Sequence, residues 1–155
     1  ENSVRSLDHL EELSVDDLEA LALRSNSGGS PLFACALPGC SYFLSIPYAP
    51  VRRLMDANVP VALATDFNPG SAPSGNMGRV VQMGMVKMKM HPLEAIAAAT
   101  INGAAAMGLA DVAGTIGIGR SANLLLTKPM DGLETMGYAF GEESVEKVFI
   151  GGVQQ

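Results

Sequence analysis

The sequence has no tryptophan, only two cysteines and two histidines, and aromatic residues make up just 5% of its 155 positions. Cys35 and Cys40 do not form a Cys-x-x-Cys, and no third cysteine joins them. That argues against a disulfide or a redox pair and reads as a pair of reduced thiols in a cytoplasmic protein. Charged residues are sparse at 17%, and their balance is acidic, with a net charge of -6. The basic stripe that grips nucleic acid is missing. No uncharged apolar run reaches the roughly 18 residues that span a bilayer. The longest candidate, 92–110, is interrupted by Glu94. No lysine-led apolar leader opens the chain. These absences predict a cytoplasmic protein with neither nucleic acid nor membrane as partner. Homo-oligomer formation is left open. The first residue is Glu1 rather than Met, and an apparent strand follows almost at once, so the sequence reads as a piece of a longer domain.

What is present is globular. Hydrophobic residues make up 48% of the chain, enough for one core and too many for a disordered chain. The 17 glycines and 9 prolines follow no three-residue period, which excludes a collagen. Residues 4–7 read as a short strand ending at Asp8 and His9. Ser14 with Asp17 three residues on is a capping-box pattern, and apolar residues at helical spacing predict a helix over 15–24. Residues 32–37 read as a buried strand. Pro50 suits the first turn of a helix carrying Val51, Leu54 and Met55, and Asn58 suits a left-handed cap. Residues 59–65 (VPVALAT) are apolar without alternation, the mark of a strand covered on both faces. A loop over 67–76, dense in Gly, Pro, Ser and Asn, follows Asp66. Helices are predicted over 77–90 and from Pro92 to near Gly108, then strands over 122–127 and 145–150. Strand–helix alternation of this kind predicts a parallel α/β sheet, either doubly wound or part of an eight-stranded barrel. In both, chemistry sits at the carboxyl ends of the strands.

The residues that close strands therefore carry the functional reading. His9 has the chemistry of a general base or metal ligand, or of a hydrogen-bonded structural histidine. Glu11 and Glu12 read as a solvated loop or the entry to the first helix. Asp66 ends a buried strand, where a carboxylate is usually capped, paired or on a metal; an Asx-turn into Phe67-Asn68 is the alternative. Backbone N–H groups of Gly70 and Ser71 and the amide of Asn68 offer donors for an anionic or amide-bearing ligand. His91 reads as a helix N-cap. Met83, Met85, Met88 and Met90 read as core. The glycines at 114, 117 and 119 follow no strand and precede no Lys-Ser/Thr, which excludes a P-loop.

The string from Val61 to Ser71 (VALATDFNPGS), with Pro73-Ser74 and Asn76-Met77, closely resembles the imidazolonepropionases of the amidohydrolase superfamily. Leu7-Asp8-His9-Leu10-Glu11 resembles their sixth-strand segment, and Leu37-Pro38-Gly39 with Tyr42 and Phe43 their seventh. Residues 92–109 resemble a helix, and 114–122 a turn, common to many amidohydrolases. The resemblance implies a (β/α)8 barrel over 1–112, of which this is the C-terminal part, and strands of a small β-sandwich domain over 113–155. It implies hydrolysis of the cyclic amide 4-imidazolone-5-propanoate to N-formimino-L-glutamate, in histidine degradation, on one divalent metal, zinc or iron. Carried over, Asp66 is the last metal ligand and the acid/base for the attacking water. His9 is the histidine near the metal and the ring carbonyl. Asn68, Gly70 and Ser71 contact the small-molecule substrate. The family's metal site also uses a His-x-His pair and a further histidine, whereas this sequence has only His9 and His91. The 155 residues by themselves are thus expected to be inactive. The alternatives are another cyclic-amide hydrolase or deaminase of the superfamily, or a non-catalytic piece.

Overall fold

A computed structural model describes residues 4–155; residues 1–3, the start of the predicted 1–112 segment, lie outside the described residues. The first part alternates strand and helix. Strand β1 (Ser6–Asp8) leads to α1 (Val15–Asn26), β2 (Phe33–Ala36), α2 (Pro38–Leu44), α3 (Val51–Asp56) and β3 (Val61–Leu63). Helices α4 (Met77–Lys87), α5 (Pro92–Ala99) and α6 (Ile101–Ala106) follow. The three strands form one parallel sheet in the order β1-β2-β3, with Asp8 level with Cys35, and Cys35 level with Ala62. All three therefore end on the same side, which sets the site.

One face of this sheet presents Ala34, Ala36, Val61 and Leu63 to Val51 and Leu54 of α3, Val80 and Val81 of α4, and Ala95 and Ala98 of α5. Leu54 is fully buried, and its burial stabilises the fold by about 1.5–3 kcal/mol. The alanines let the helices approach closely. So does Gly84, where an added Cβ would stand 3.0 Å from Leu63 Cδ1 and 3.1 Å from Met90 Sδ. The opposite face carries a smaller cluster, in which Leu37, Cys40 and Ala72 pack with Cys35 and Ala64. The sheet is covered on both faces there, as the unalternating 59–65 run predicts.

Local signals explain the element ends. Ser14 and Asp17 form the predicted capping box, with Asp17 N–H donating to Ser14 Oγ at 3.1 Å. His91 caps α5: its Nδ1 accepts from Leu93 N–H at 3.4 Å, and its own N–H donates to Glu94 Oε2 at 2.8 Å. Glu94 also takes two hydrogen bonds from the Arg52 guanidinium, which ties α3 to α5 and holds the Glu94 carboxyl below its usual range. Asn58 takes the left-handed conformation expected of it, with φ 59°.

Three expectations are corrected. The helix predicted over 77–90 stops at Lys87, because Lys89 turns left-handed (φ 57°) and sends Met88 and Met90 back into the core. The helix predicted from Pro92 to Gly108 breaks at Thr100, whose hydroxyl donates to Ile96 O at 2.7 Å. The break lets Asn102 reach the Val61 carbonyl at 2.8 Å, on the side of β3 away from β2. Helix α2 begins where only a strand boundary was expected, with Pro38 in its first turn.

The remainder forms a second, antiparallel sheet, β4 (Leu124–Thr127), β5 (Val145–Ile150) and β6 (Val153–Gln154). Between β4 and β5, helix α7 (Glu134–Tyr138) runs back to α4. Buried Gln82 fastens it: its amide donates to Glu142 O at 3.2 Å and accepts from Gly141 N–H at 3.0 Å. Among the described residues no helix is long and apolar enough to cross a membrane.

Candidate active site

The carboxyl edge of the parallel sheet gathers the residues that end β1, β2 and β3. His9 lies one residue past β1 with φ 73°, and Leu10 follows with φ 73°. Asp66 lies three residues past β3 with φ 53°. The left-handed region is uncommon for residues with a side chain, costs of order 1 kcal/mol or more, and concentrates where a site fixes the backbone. The backbone at His9 is held because its N–H donates to Cys35 O at 3.0 Å, extending the β1–β2 ladder. His9 and Asp66 share the edge but not a contact. Strand β2 stands between their strands, which lie about 10 Å apart.

The surroundings of His9 correct one expectation. Glu11 does not lie in a solvated loop: its side chain is 8% exposed, against 50% for the His9 ring. One Glu11 oxygen accepts from Ser41 Oγ at 3.1 Å, and the other stands 3.6 Å from His9 Nδ1. Ser41 itself is fully buried in α2. In the sequence Glu11 is marked only by the resemblance over 7–11, and Ser41 has no signal there. Adjacent glutamates look alike there, and Ser41 becomes a neighbour only through the unpredicted α2. Glu12 is exposed.

The loop after Asp66 closes on itself around Asn68. Asn68 Oδ1 accepts from Gly70 N–H at 2.9 Å and Ser71 N–H at 2.8 Å, and Asn68 Nδ2 donates to the Asp66 carbonyl at 2.6 Å. The Asx-turn of this loop is therefore made by Asn68, not by Asp66. It also corrects the expectation of open donors: the N–H groups of Gly70 and Ser71 point at Asn68, and the amide of Asn68 is spent within the loop. The Asp66 side chain is half-buried, and among the described residues no hydrogen bond to its carboxylate is formed. A cavity of about 130 Å³ lies beside this loop, walled by Gly39, Tyr42, Ala72, Ser74 and Arg79.

Cys35, at the level of Asp8 on β2, is a free thiol. Burial first, and then the Asp8 carboxylate, push its pKa up to about 11. It is protonated at neutral pH and unsuited to act as a nucleophile. Cys40 is also free, as expected of reduced thiols. His91 is occupied as a cap.

The donor set does not build a metal centre. Among the described residues no three His, Cys, Asp or Glu side chains converge. Asp66 offers one carboxylate, whereas a catalytic zinc normally takes three protein ligands.

A profile of the Amidohydrolase family matches residues 9–154. The chain belongs to the amidohydrolase family. This amidohydrolase chain is 54% identical over 147 residues to an imidazolonepropionase of Flavobacterium johnsoniae, covering 95% of this chain and 34% of that protein. It is 39% identical to an imidazolonepropionase of Caldanaerobacter subterraneus, covering 92% of this chain and 33% of the relative. The chain spans about a third of the length of these curated relatives. Among solved structures, an adenosine deaminase from Xanthomonas campestris with bound zinc superposes with a TM-score of 0.80 at 23% identity, covering 96% of this chain and 36% of that one. Guanine deaminase from E. coli superposes with a TM-score of 0.71 at 18% identity, covering 96% of this chain and 38% of the other. These likenesses establish the amidohydrolase fold, as the sequence resemblance implies.

Proposed function

We propose that the protein to which these residues belong hydrolyses 4-imidazolone-5-propanoate to N-formimino-L-glutamate, and that this chain supplies its acid/base group. The observation that carries the reading is Asp66: a half-buried carboxylate, without a hydrogen bond among the described residues, held left-handed at the carboxyl edge beside a self-closed loop. The length and degree of identity with imidazolonepropionases support the substrate.

Asp66 accepts the proton of a water that attacks the ring carbonyl carbon. The addition gives a tetrahedral centre, and the hydroxyl it gains from the water donates a hydrogen bond to the His9 imidazole. The same proton then passes from Asp66 to the ring nitrogen as the C–N bond breaks, leaving a carboxylic acid and an N-formimino group. Asn68, Gly70 and Ser71 form the wall that meets the substrate, with Ser71 Oγ held against the Asn68 amide, whose Nδ2 donates to it at 3.0 Å. Asp66 is also proposed as the one ligand that this chain gives to a divalent metal, zinc or iron, whose remaining ligands are not among these residues. The same reading divides the chain at 112/113, between barrel and small β domain, and places the protein in the cytoplasm.

The test is an assay of the protein as its natural reading frame encodes it, given 4-imidazolone-5-propanoate and followed for N-formimino-L-glutamate. Turnover is expected. Asp66→Asn should lower kcat by about 10²–10⁴-fold, the usual contribution of a general acid/base, with the fold kept because Asn also tolerates the left-handed conformation. Absence of product from the unsubstituted protein overturns the proposal.

A further inference from the structure

Glu11 is a nearly buried carboxylate that the proposed chemistry leaves unused. Two consecutive left-handed residues, His9 and Leu10, fold the chain back so that Glu11 returns beside the ring two positions before it. Its Oε1 is fixed by Ser41 Oγ at 3.1 Å, and Ser41 has no exposed surface. Its Oε2 faces His9 Nδ1 at 3.6 Å, an ion-pair distance about half an ångström beyond hydrogen-bond range. A carboxylate removed from water is stable only when paired or hydrogen-bonded, and the imidazole and the serine are the partners here.

We propose that Glu11, anchored by Ser41, is a positioning residue for His9. It keeps the proton of the neutral imidazole on Nδ1, which sets the tautomer and leaves Nε2 as the nitrogen that meets the substrate. Carboxylates orient functional histidines in this way through the second ring nitrogen. The role of Glu11 in catalysis rests on the reading of His9 given above; its hold on the imidazole does not.

The experiment uses the naturally encoded protein and two variants, Glu11→Gln and Ser41→Ala, with two readouts. Long-range ¹H–¹⁵N spectra at neutral pH, with His9 assigned through a His9→Gln variant, report which ring nitrogen carries the proton. Steady-state kinetics report kcat and KM. In the unsubstituted protein the proton is expected on Nδ1. In Glu11→Gln it is expected to divide between both nitrogens, and kcat to fall about 10-fold or more with KM within about twofold. Ser41→Ala is expected to shift both readouts in the same direction by less, which guards against a Glu11 variant that fails to fold. An unchanged tautomer in both variants, or an unchanged kcat in both, overturns the proposal. If the unsubstituted protein has no turnover, the proposed function falls, and the tautomer readout alone decides whether Glu11 positions His9.

Discussion

At the scale of single residues, the site is organised by side chains that turn toward their own backbone. Asn68 holds Gly70 and Ser71 from one oxygen, so its removal would strand two N–H groups, at about 1–3 kcal/mol each where they are shielded from water. Asn68→Ala is therefore expected to lower kcat/KM at least about 100-fold and to expose the 67–76 loop to limited proteolysis. Asn68→Asp, which keeps the accepting oxygen but loses the Nδ2 donor to Asp66 O, should protect the loop more than Asn68→Ala and less than the native residue. Intact resistance in Asn68→Ala would show that the loop does not depend on this side chain. Cys35 gives a pH prediction. Its raised pKa means that the folded state holds the thiol proton where the unfolded state releases it. The contribution to stability is complete below pH 9, the ordinary value for the thiol, and is lost as pH rises toward about 11. Urea midpoints should fall across that window in the native protein and fall less in Cys35→Ala.

At the scale of elements, close helix–strand approach depends on small residues. A methyl group at Gly84 would meet Leu63 of β3 and Met90, both in the core. Gly84→Ala gains helix propensity of up to about 1 kcal/mol, yet overpacking costs about 1–3 kcal/mol. Net destabilisation by urea unfolding is the expected outcome, and a stabilised variant would show that α4 can move off the sheet. Elements whose ends are fixed by neighbours in sequence were legible. The Ser14–Asp17 box, the His91 cap and the Asn58 left-handed turn are all local devices, and all are found where the pattern puts them. Elements ended by distant partners were not. Thr100 breaks a helix that continues in the pattern, and Asn102 beyond the break bonds to Val61, far away in the chain. Helix α7 owes its place to Gln82, whose partners lie almost sixty residues on.

At the scale of the whole molecule, the parallel sheet ends in β1 on one side and β3 on the other, and neither outer edge pairs with a further strand among the described residues. Strand edges of this kind recruit other chains. The 155 residues produced alone are expected to self-associate in size-exclusion chromatography and to show no hydrolysis of 4-imidazolone-5-propanoate, since they carry one candidate metal ligand. A monodisperse monomer with turnover would overturn both expectations.

What the sequence determined by itself is the parallel α/β class, the strand-closing positions of His9 and Asp66, and the family. Each is written in local periodicity, in cap and turn chemistry, or in a contiguous string of residues. Only the tertiary structure decided which polar groups are available. Asn68, Gly70 and Ser71 look like open donors in the sequence, yet they saturate one another because the loop curls around a single amide. Glu11 looks like a surface charge, yet α2 brings Ser41 over it and the left-handed turn at His9 folds it inward. Burial and hydrogen-bond satisfaction depend on what the rest of the chain places nearby, and no spacing along the chain encodes that.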